Sequence, residues 1–252
     1  MENKKTKILQ VPMFTDNYAY LLIDKQEKKA AAVDPAEPKV IMAELQKEKL
    51  QLTDILTTHH HRDHAGGNKE LLQNFRGLCV YGGEKKIKGL NRKVKGGDAI
   101  EIFGIEIQVI STPCHTEGHV CYFLPNTDPP ILFSGDTLFV GGCGRFFEGT
   151  AAQMVDAMAK LSSLQKNTLV CCGHEYTVNN LEFAAQVELF NQKTVKKLEW
   201  AKAQREKGLS TVPSTIEEEL QYNPFMRVKE PDIRSILHVE TDCSDAVVME
   251  IL

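Results

Sequence analysis

The side chains best suited to chemistry in this 252-residue chain are its histidines. Seven of the eight fall in three short segments, THHHRDHAGG at 58–67, TPCHTEGH at 112–119 and CGHEYT at 172–177. A loop histidine ordinarily makes one or two hydrogen bonds, but imidazoles grouped with carboxylates form the donor set that suits zinc, iron or manganese. His59, His61, Asp63 and His64 put four donors within six residues, more than one ion can easily take from a single turn. The alternation His59, His61, Asp63 lets donors splay from a loop, and His64 beside Asp63 can face the other way, which points to two ions. Asp136, ending the segment ILFSGD, has two oxygens and is a natural bridge between them. His60 and His119 read as neighbours that do not ligate, His238 as an ordinary histidine, and Asp34 as a supporting or turn-capping carboxylate.

Each cluster follows a run that reads as a β-strand, and loops after strand ends gather at one edge of a layered α/β sheet. ILQVPMF, YAYLLID and KAAAVD open the chain as a meander, and DILTT leads straight into the first histidine segment. A helix is expected from Pro38 to Leu50 and another from Asn68 to Phe75, followed by the strand CVYG. AIEIFGIEIQVIST reads as a hairpin turning at Phe103 and Gly104. HVCYFL and ILFSGD are strands, TLFVGGCGRFFEGT is a glycine-rich loop, a helix runs from about 151 to 164, and TLVCCG is the last strand. Beyond His174 the pattern becomes helical, through NNLEFAAQVELF, KTVKKLEWAKAQREKG and TIEEELQ, so a small helical part packed on the main domain is expected.

Composition narrows the classes further. The chain is 42% hydrophobic and 25% charged, enough apolar material for a sizeable core in two packed parts. Its net charge of −4 supplies no excess cation to neutralise nucleic acid or anionic lipid. No run of about 18 apolar residues is present, and the start, MENKKTKILQVPMF, lacks the apolar stretch of a signal peptide, so a cytoplasmic protein without nucleic-acid or membrane partners is expected. A monomer is the simplest oligomeric expectation. The seven cysteines are scattered, form no CxxC pair and read as reduced thiols.

THHHRDHAGGN, TPCHTEGHVCYF, FSGDTLFVGGCGRFFEGT, CGHEYT and YNPFMR together resemble the glyoxalase II (hydroxyacylglutathione hydrolase) family of the metallo-β-lactamase superfamily. HxHxDH alone marks the superfamily; GCGRFFEGT, CGHEYT and NPFMR narrow it. The resemblance implies an α/β fold, a four-layer αββα sandwich over residues 1–174, and a helical domain over 175–252 that helps bind glutathione. Position by position it implies that His59, His61 and His115 hold one divalent ion and Asp63, His64 and His174 a second, bridged by Asp136. Zinc is the first expectation, with iron or manganese tolerated. The implied reaction is hydrolysis of S-(2-hydroxyacyl)glutathione, S-lactoylglutathione foremost, by a hydroxide between the ions, with Asp63 and Asp136 as the catalytic carboxylates.

For the small-molecule glutathione thioester, the resemblance implies a binding surface made by Arg145, Phe146, Phe147, His174, Glu175 and Tyr176. Arg145 stands where the family usually has lysine, so a cation for a glycyl carboxylate is kept. Phe147 stands where it commonly has tyrosine, so a hydroxyl is missing. The family's terminal arginine and lysine are absent from the closing SDAVVMEIL, which leaves Lys229 and Arg234 as candidates to replace them. Competing expectations within the superfamily are a glutathione persulfide dioxygenase with one iron and another metallo-hydrolase such as a lactonase.

Overall fold

The computed structural model describes residues 6–240 and 242–252; the lysines at 4 and 5 of the leading segment lie outside the described residues. The chain divides into two compact units, one taking it through Ser111 together with Gly118–Asn126, the other taking Thr112–Glu117 and Thr127–Leu252.

The first unit begins with the antiparallel meander β1 (Thr6–Met13), β2 (Asn17–Asp24) and β3 (Lys29–Val33). Every residue of β2 is buried, as a strand covered on both faces requires. The helix α1 (Pro38–Glu48) starts on Pro38, whose fixed φ suits a first helical position, buries Ile41 and Leu45 one turn apart, and stops where Lys49 turns left-handed at φ 56°. It leads to β4 (Gln51–Leu56), then to the short helices α2 (Arg62–Ala65) and α3 (Asn68–Asn74), and on to β5 (Cys79–Gly82) and the edge strand β6 (Arg92–Lys93). Strands β3 to β6 pair in parallel. Leu21, Ile23, Ala32, Ile41, Leu45, Ile55, Leu71 and Val80 interlock as its apolar core. The expected hairpin follows as β7 (Ala99–Ile102) and β8 (Ile105–Ser111), turning through Phe103 at φ 57° and Gly104 at φ 74°, the left-handed pair that a two-residue turn between twisted strands demands. The strand β9 (Val120–Leu124) runs antiparallel to β8.

The second unit is built on β10 (Ile131–Gly135) and β13 (Leu169–Cys172), which pair in parallel, with β14 (Ser214–Thr215) antiparallel to β13. The glycine-rich segment is more ordered than its composition suggests: β11 (Leu138–Phe139) and β12 (Gly142–Cys143) close it into a small hairpin. Helix α4 (Ala151–Ser162) opens on a capping box between Thr150 and Gln153 and buries Met154, Ala157, Met158 and Leu161 along one stripe. Five more helices follow: α5 (Thr177–Val187), α6 (Gln192–Glu206), α7 (Ile216–Tyr222), α8 (Pro231–Ile236) and α9 (Asp245–Ile251). A 3-10 turn over Pro224–Met226 separates α7 from α8. All seven cysteines are free thiols, and burial pushes the Cys171 thiol up to about 12. Among the described residues no helix is long and apolar enough to cross a membrane.

One buried charge in this unit carries a pH signature. Glu219 on α7 is wholly buried, and the loss of solvation raises its carboxyl pKa above 4.5 even though Gly141, Asn223 and Tyr222 donate hydrogen bonds to it. Between its unfolded and folded values the native state therefore binds more protons than the unfolded chain. The stability Glu219 contributes is fully present below the unfolded value and is lost as pH rises through the folded one. Glu219→Gln, which keeps an acceptor for Gly141 and Asn223, is expected to remove that decline. In urea denaturation at about pH 5 and about pH 8, the variant should gain stability relative to the parent as pH rises. An unchanged difference between the two would contradict this.

Candidate metal centre

The parallel pairing of strands sets where the donors stand. Val33, Leu56 and Tyr81 lie side by side at the ends of β3, β4 and β5, so Asp34, the Thr57–His61 segment and Glu84 leave the sheet at the same edge. The segment is pinned there from several sides. Tyr122 Oη donates to Thr57 O at 3.0 Å, Asn68 Nδ2 to Thr57 Oγ1 at 3.0 Å, and Val120 N to Thr58 O at 3.0 Å.

The buried carboxylate of Asp34 organises the first donor set. Its Oδ1 accepts from Thr58 N at 2.8 Å, and its Oδ2 accepts from Thr58 Oγ1 at 2.7 Å and faces His64 Nδ1 at 3.0 Å. Asp34 holds φ 49° to do so, a left-handed backbone that aspartate tolerates better than most residues. His59 is oriented in the same manner, with Nδ1 3.0 Å from Thr58 Oγ1. With these outer nitrogens engaged, the opposite nitrogens are the ones left to meet a cation. His59 Nε2 comes to 3.0 Å from His61 Nδ1, and His64 Nε2 to 3.8 Å from Asp63 Oδ2. The sequence-expected donors of this unit thus fall into two pairs, and the ring centroids of His59 and His64 are 4.2 Å apart. Arg62–Ala65 forms one helical turn rather than an open loop, and this turn carries both Asp63 and His64.

The second unit carries a donor group of its own. Gly135 pairs with Cys172 across β10 and β13, so Asp136 and His174 leave the sheet together. Asp136 Oδ2 lies 3.4 Å from His115 Nε2 and 3.4 Å from His174 Nε2, with all three residues at most 6% exposed. His115 Nδ1 is held 2.9 Å from Arg145 O, which again turns Nε2 inward.

These spacings test whether the donors fit a metal. A good N–H···O hydrogen bond is about 2.7–3.2 Å long. Two ligands about 2.0–2.1 Å from one tetrahedral ion stand about 3.4 Å apart. The separations about Asp136 match the second figure, and the His59–His61 and His64–Asp63 pairs bracket it. The buried imidazoles of His59, His64 and His115 each have the outer nitrogen held by a hydrogen bond, and imidazole with carboxylate is a donor set that suits a divalent metal.

The remaining expected residues are distributed as follows. His60 turns to Glu84, with Nδ1 2.9 Å from Oε1, and His119 stacks on His59 with centroids 4.9 Å apart; neither lies in one of the donor pairs above. Tyr176 stacks on His174 at 4.6 Å and stands edge-on to Phe139 at 5.3 Å. Arg145 and Phe147 are exposed, Phe146 is half-buried, and the Phe147 ring lies 5.2 Å from that of His115. The Glu175 carboxylate accepts from Thr211 N at 2.8 Å and from Thr211 Oγ1, with Arg205 at 3.7 Å. Side chains that sequence reasoning passed over include Asn17, whose Nδ2 donates to Asp63 Oδ2 at 3.2 Å and to Asp63 O at 3.1 Å.

Comparison with known proteins places the chain in a family. Residues 14–174 match the metallo-beta-lactamase superfamily and residues 175–252 match the hydroxyacylglutathione hydrolase C-terminus. The chain is 49% identical, over 92% of both proteins, to an Arabidopsis thaliana protein named hydroxyacylglutathione hydrolase cytoplasmic. The chain belongs to the hydroxyacylglutathione hydrolase family. A Gallus gallus hydroxyacylglutathione hydrolase-like protein is 47% identical over 90% of this chain and 82% of its own. The solved structure of ETHE1 from Myxococcus xanthus matches with a TM-score of 0.67 at 25% identity, covering 97% of this chain and 94% of that one. The fold is the α/β sandwich of the metallo-β-lactamase superfamily.

Of the two cations that the resemblance offered as replacements, Arg234 is already engaged. Arg234 donates to Val228 O, Cys243 O and Asp245 Oδ1 at 3.0, 2.8 and 2.6 Å, which spends its guanidinium on tying α8 to α9. Lys229, whose side chain is 82% exposed, has only a loose ion pair with Asp245 at 3.7 Å.

Proposed function

We propose that the protein hydrolyses S-(2-hydroxyacyl)glutathione thioesters, S-lactoylglutathione foremost, to the 2-hydroxy acid and glutathione. The observation that carries the reading is the 49% identity to a hydroxyacylglutathione hydrolase across nearly the whole chain. We assign His59, His61 and His115 to one divalent ion, Asp63, His64 and His174 to a second, and Asp136 to both. Zinc is the expected metal, with iron or manganese tolerated. Bound there, divalent metal would supply a water whose pKa is lowered towards about 7 and a Lewis acid for the substrate carbonyl.

The protein's own groups do the rest. Asp63, fixed by Asn17, can hold or accept the proton of the attacking hydroxide. Arg145 offers a permanent positive charge to a glycyl carboxylate, and Tyr176 offers a hydroxyl. The leaving thiolate, with a pKa near about 8.5, departs without a strong general acid, which accounts for the lack of a dedicated acid residue. Residues 175–252 form the glutathione-binding part in this reading, and the reaction is placed in the cytosol.

The test is a substrate panel on metal-loaded protein: glutathione thioesters with several acyl groups, a lactone and glutathione persulfide. Thiol release from 2-hydroxyacyl thioesters should exceed turnover of the other classes by at least about 100-fold. Full metal occupancy without thioesterase activity would sink the proposal, and oxygen uptake dependent on persulfide would replace it with the dioxygenase.

A further inference from the structure

The hairpin of β11 and β12 joins two parts of the second donor set. Asp136 lies just before it, and Arg145, whose carbonyl orients His115, lies just after. The two are folded closely together, since a Cβ on Gly144 would sit 1.9 Å from Asp136 O. Four backbone groups of the hairpin are bound from the helical side. Asn223 Nδ2 donates to Phe139 O at 3.3 Å and Gly142 O at 3.0 Å, and also to Glu219 Oε2 at 2.9 Å. Gly141 N donates to the same Glu219 oxygen at 2.8 Å, and Asn180 Nδ2 donates to Val140 O at 3.0 Å. Asn223 and Glu219 are both fully buried. Gly141 turns at φ +70°, and a Cβ there would meet Leu181 Cδ2 at 2.8 Å, so the hairpin is pressed onto α5 as well as clamped. On its other side Phe139 packs edge-on against Tyr176 and His174, at 5.3 and 5.9 Å.

We propose that Asn223 and Glu219 are positioning residues for thioester hydrolysis, which fix the hairpin so that the Arg145 side chain meets the substrate and the Arg145 carbonyl sets the ring of His115. The inference rests on the hydrolase reading above. A buried amide and carboxylate that bond three backbone groups of one hairpin are costly to bury and give back little net stability, so their return is geometric accuracy at the chain they hold. Both belong to the helical segment, which thereby acts on the site without contributing a ligand.

The test uses metal-loaded full-length protein, with hydrogen exchange and steady-state kinetics measured side by side. Asn223→Ala should speed exchange of the 138–145 amides at least about tenfold and raise KM for S-lactoylglutathione about tenfold, while kcat changes less than about threefold. Glu219→Gln, which retains the acceptor, should keep both readouts within about threefold of the parent. A merely structural role would lower kcat and the active fraction together at unchanged KM, and that result overturns the proposal. So does a hairpin that exchanges no faster, or one that loosens while KM stays put. If Asn223→Ala does not fold, Asn180→Ala frees only Val140 O and should raise KM about threefold; an unchanged KM there is equally contradictory. An inactive parent protein refutes the hydrolase reading, whereas an active parent with an insensitive Asn223→Ala refutes this inference alone.

Discussion

Asp136→Ala should lose thiol release from S-lactoylglutathione by at least about 1,000-fold while the protein remains folded. The size follows from where Asp136 Oδ2 stands, 3.4 Å from the Nε2 atoms of both His115 and His174. Its removal takes a donor from each ion of the proposed pair, and it also removes a negative charge that holds two cations at close quarters. The backbone is less exposed to the change, because β10 and β13 remain paired and Gly173 N still donates to Gly135 O at 3.0 Å. Metal content measured on the same sample separates the effects: the account expects fewer than two ions per chain alongside the lost turnover. A variant that keeps both ions and works within about tenfold of the parent would remove Asp136 from the chemistry.

The second large effect is expected at a residue that touches no substrate. Asp34→Asn conserves size, and its Oδ1 can still accept from Thr58 N. At the other position a carboxylate oxygen becomes an amide donor facing His64 Nδ1. The imidazole must then present a bare Nδ1, which moves its proton to Nε2, the nitrogen assigned to the metal. Metal affinity should fall about 10- to 100-fold, the usual cost of losing a partner behind a ligating histidine, with activity falling in proportion at limiting metal. Competition against a chromophoric chelator reads the affinity, and a thermal melt of the metal-free protein should show little change. Wild-type affinity in Asp34→Asn would mean that His64 does not bind through Nε2.

How much of this was legible beforehand depended on how far the physics acts along the chain. The donors could be read because metal chemistry needs particular residue types, and the HxHxDH spacing packs four of them into two turns. The hairpin at Phe103 and Gly104 could be read because strict alternation and a left-handed turn both leave local traces. The β11–β12 hairpin could not, since Gly141, Gly142 and Gly144 carry no side chains to alternate and its order comes from Asn223 and Glu219, about eighty residues away. Asn17 was missed for the same reason: its partner Asp63 is 46 positions distant. The partners of Glu175 were equally out of reach. It lies between His174 and Tyr176, but its carboxylate points to Thr211 and Arg205, and it braces the segment that returns to β14. The short helices α8 and α9 have too few turns to show a periodic stripe, and what joins them, Arg234 with Asp245, is visible only in three dimensions.

In the proposed reaction the seven donors hold two divalent ions, and both are needed for thioester hydrolysis. The most direct measurement is a titration of metal-free protein with zinc, following bound metal per chain and thiol release from S-lactoylglutathione on the same samples. Saturation is expected at two ions per chain, with activity reaching its plateau only as the second is filled. Full activity at one ion per chain, or two bound ions with no thiol released, would contradict it.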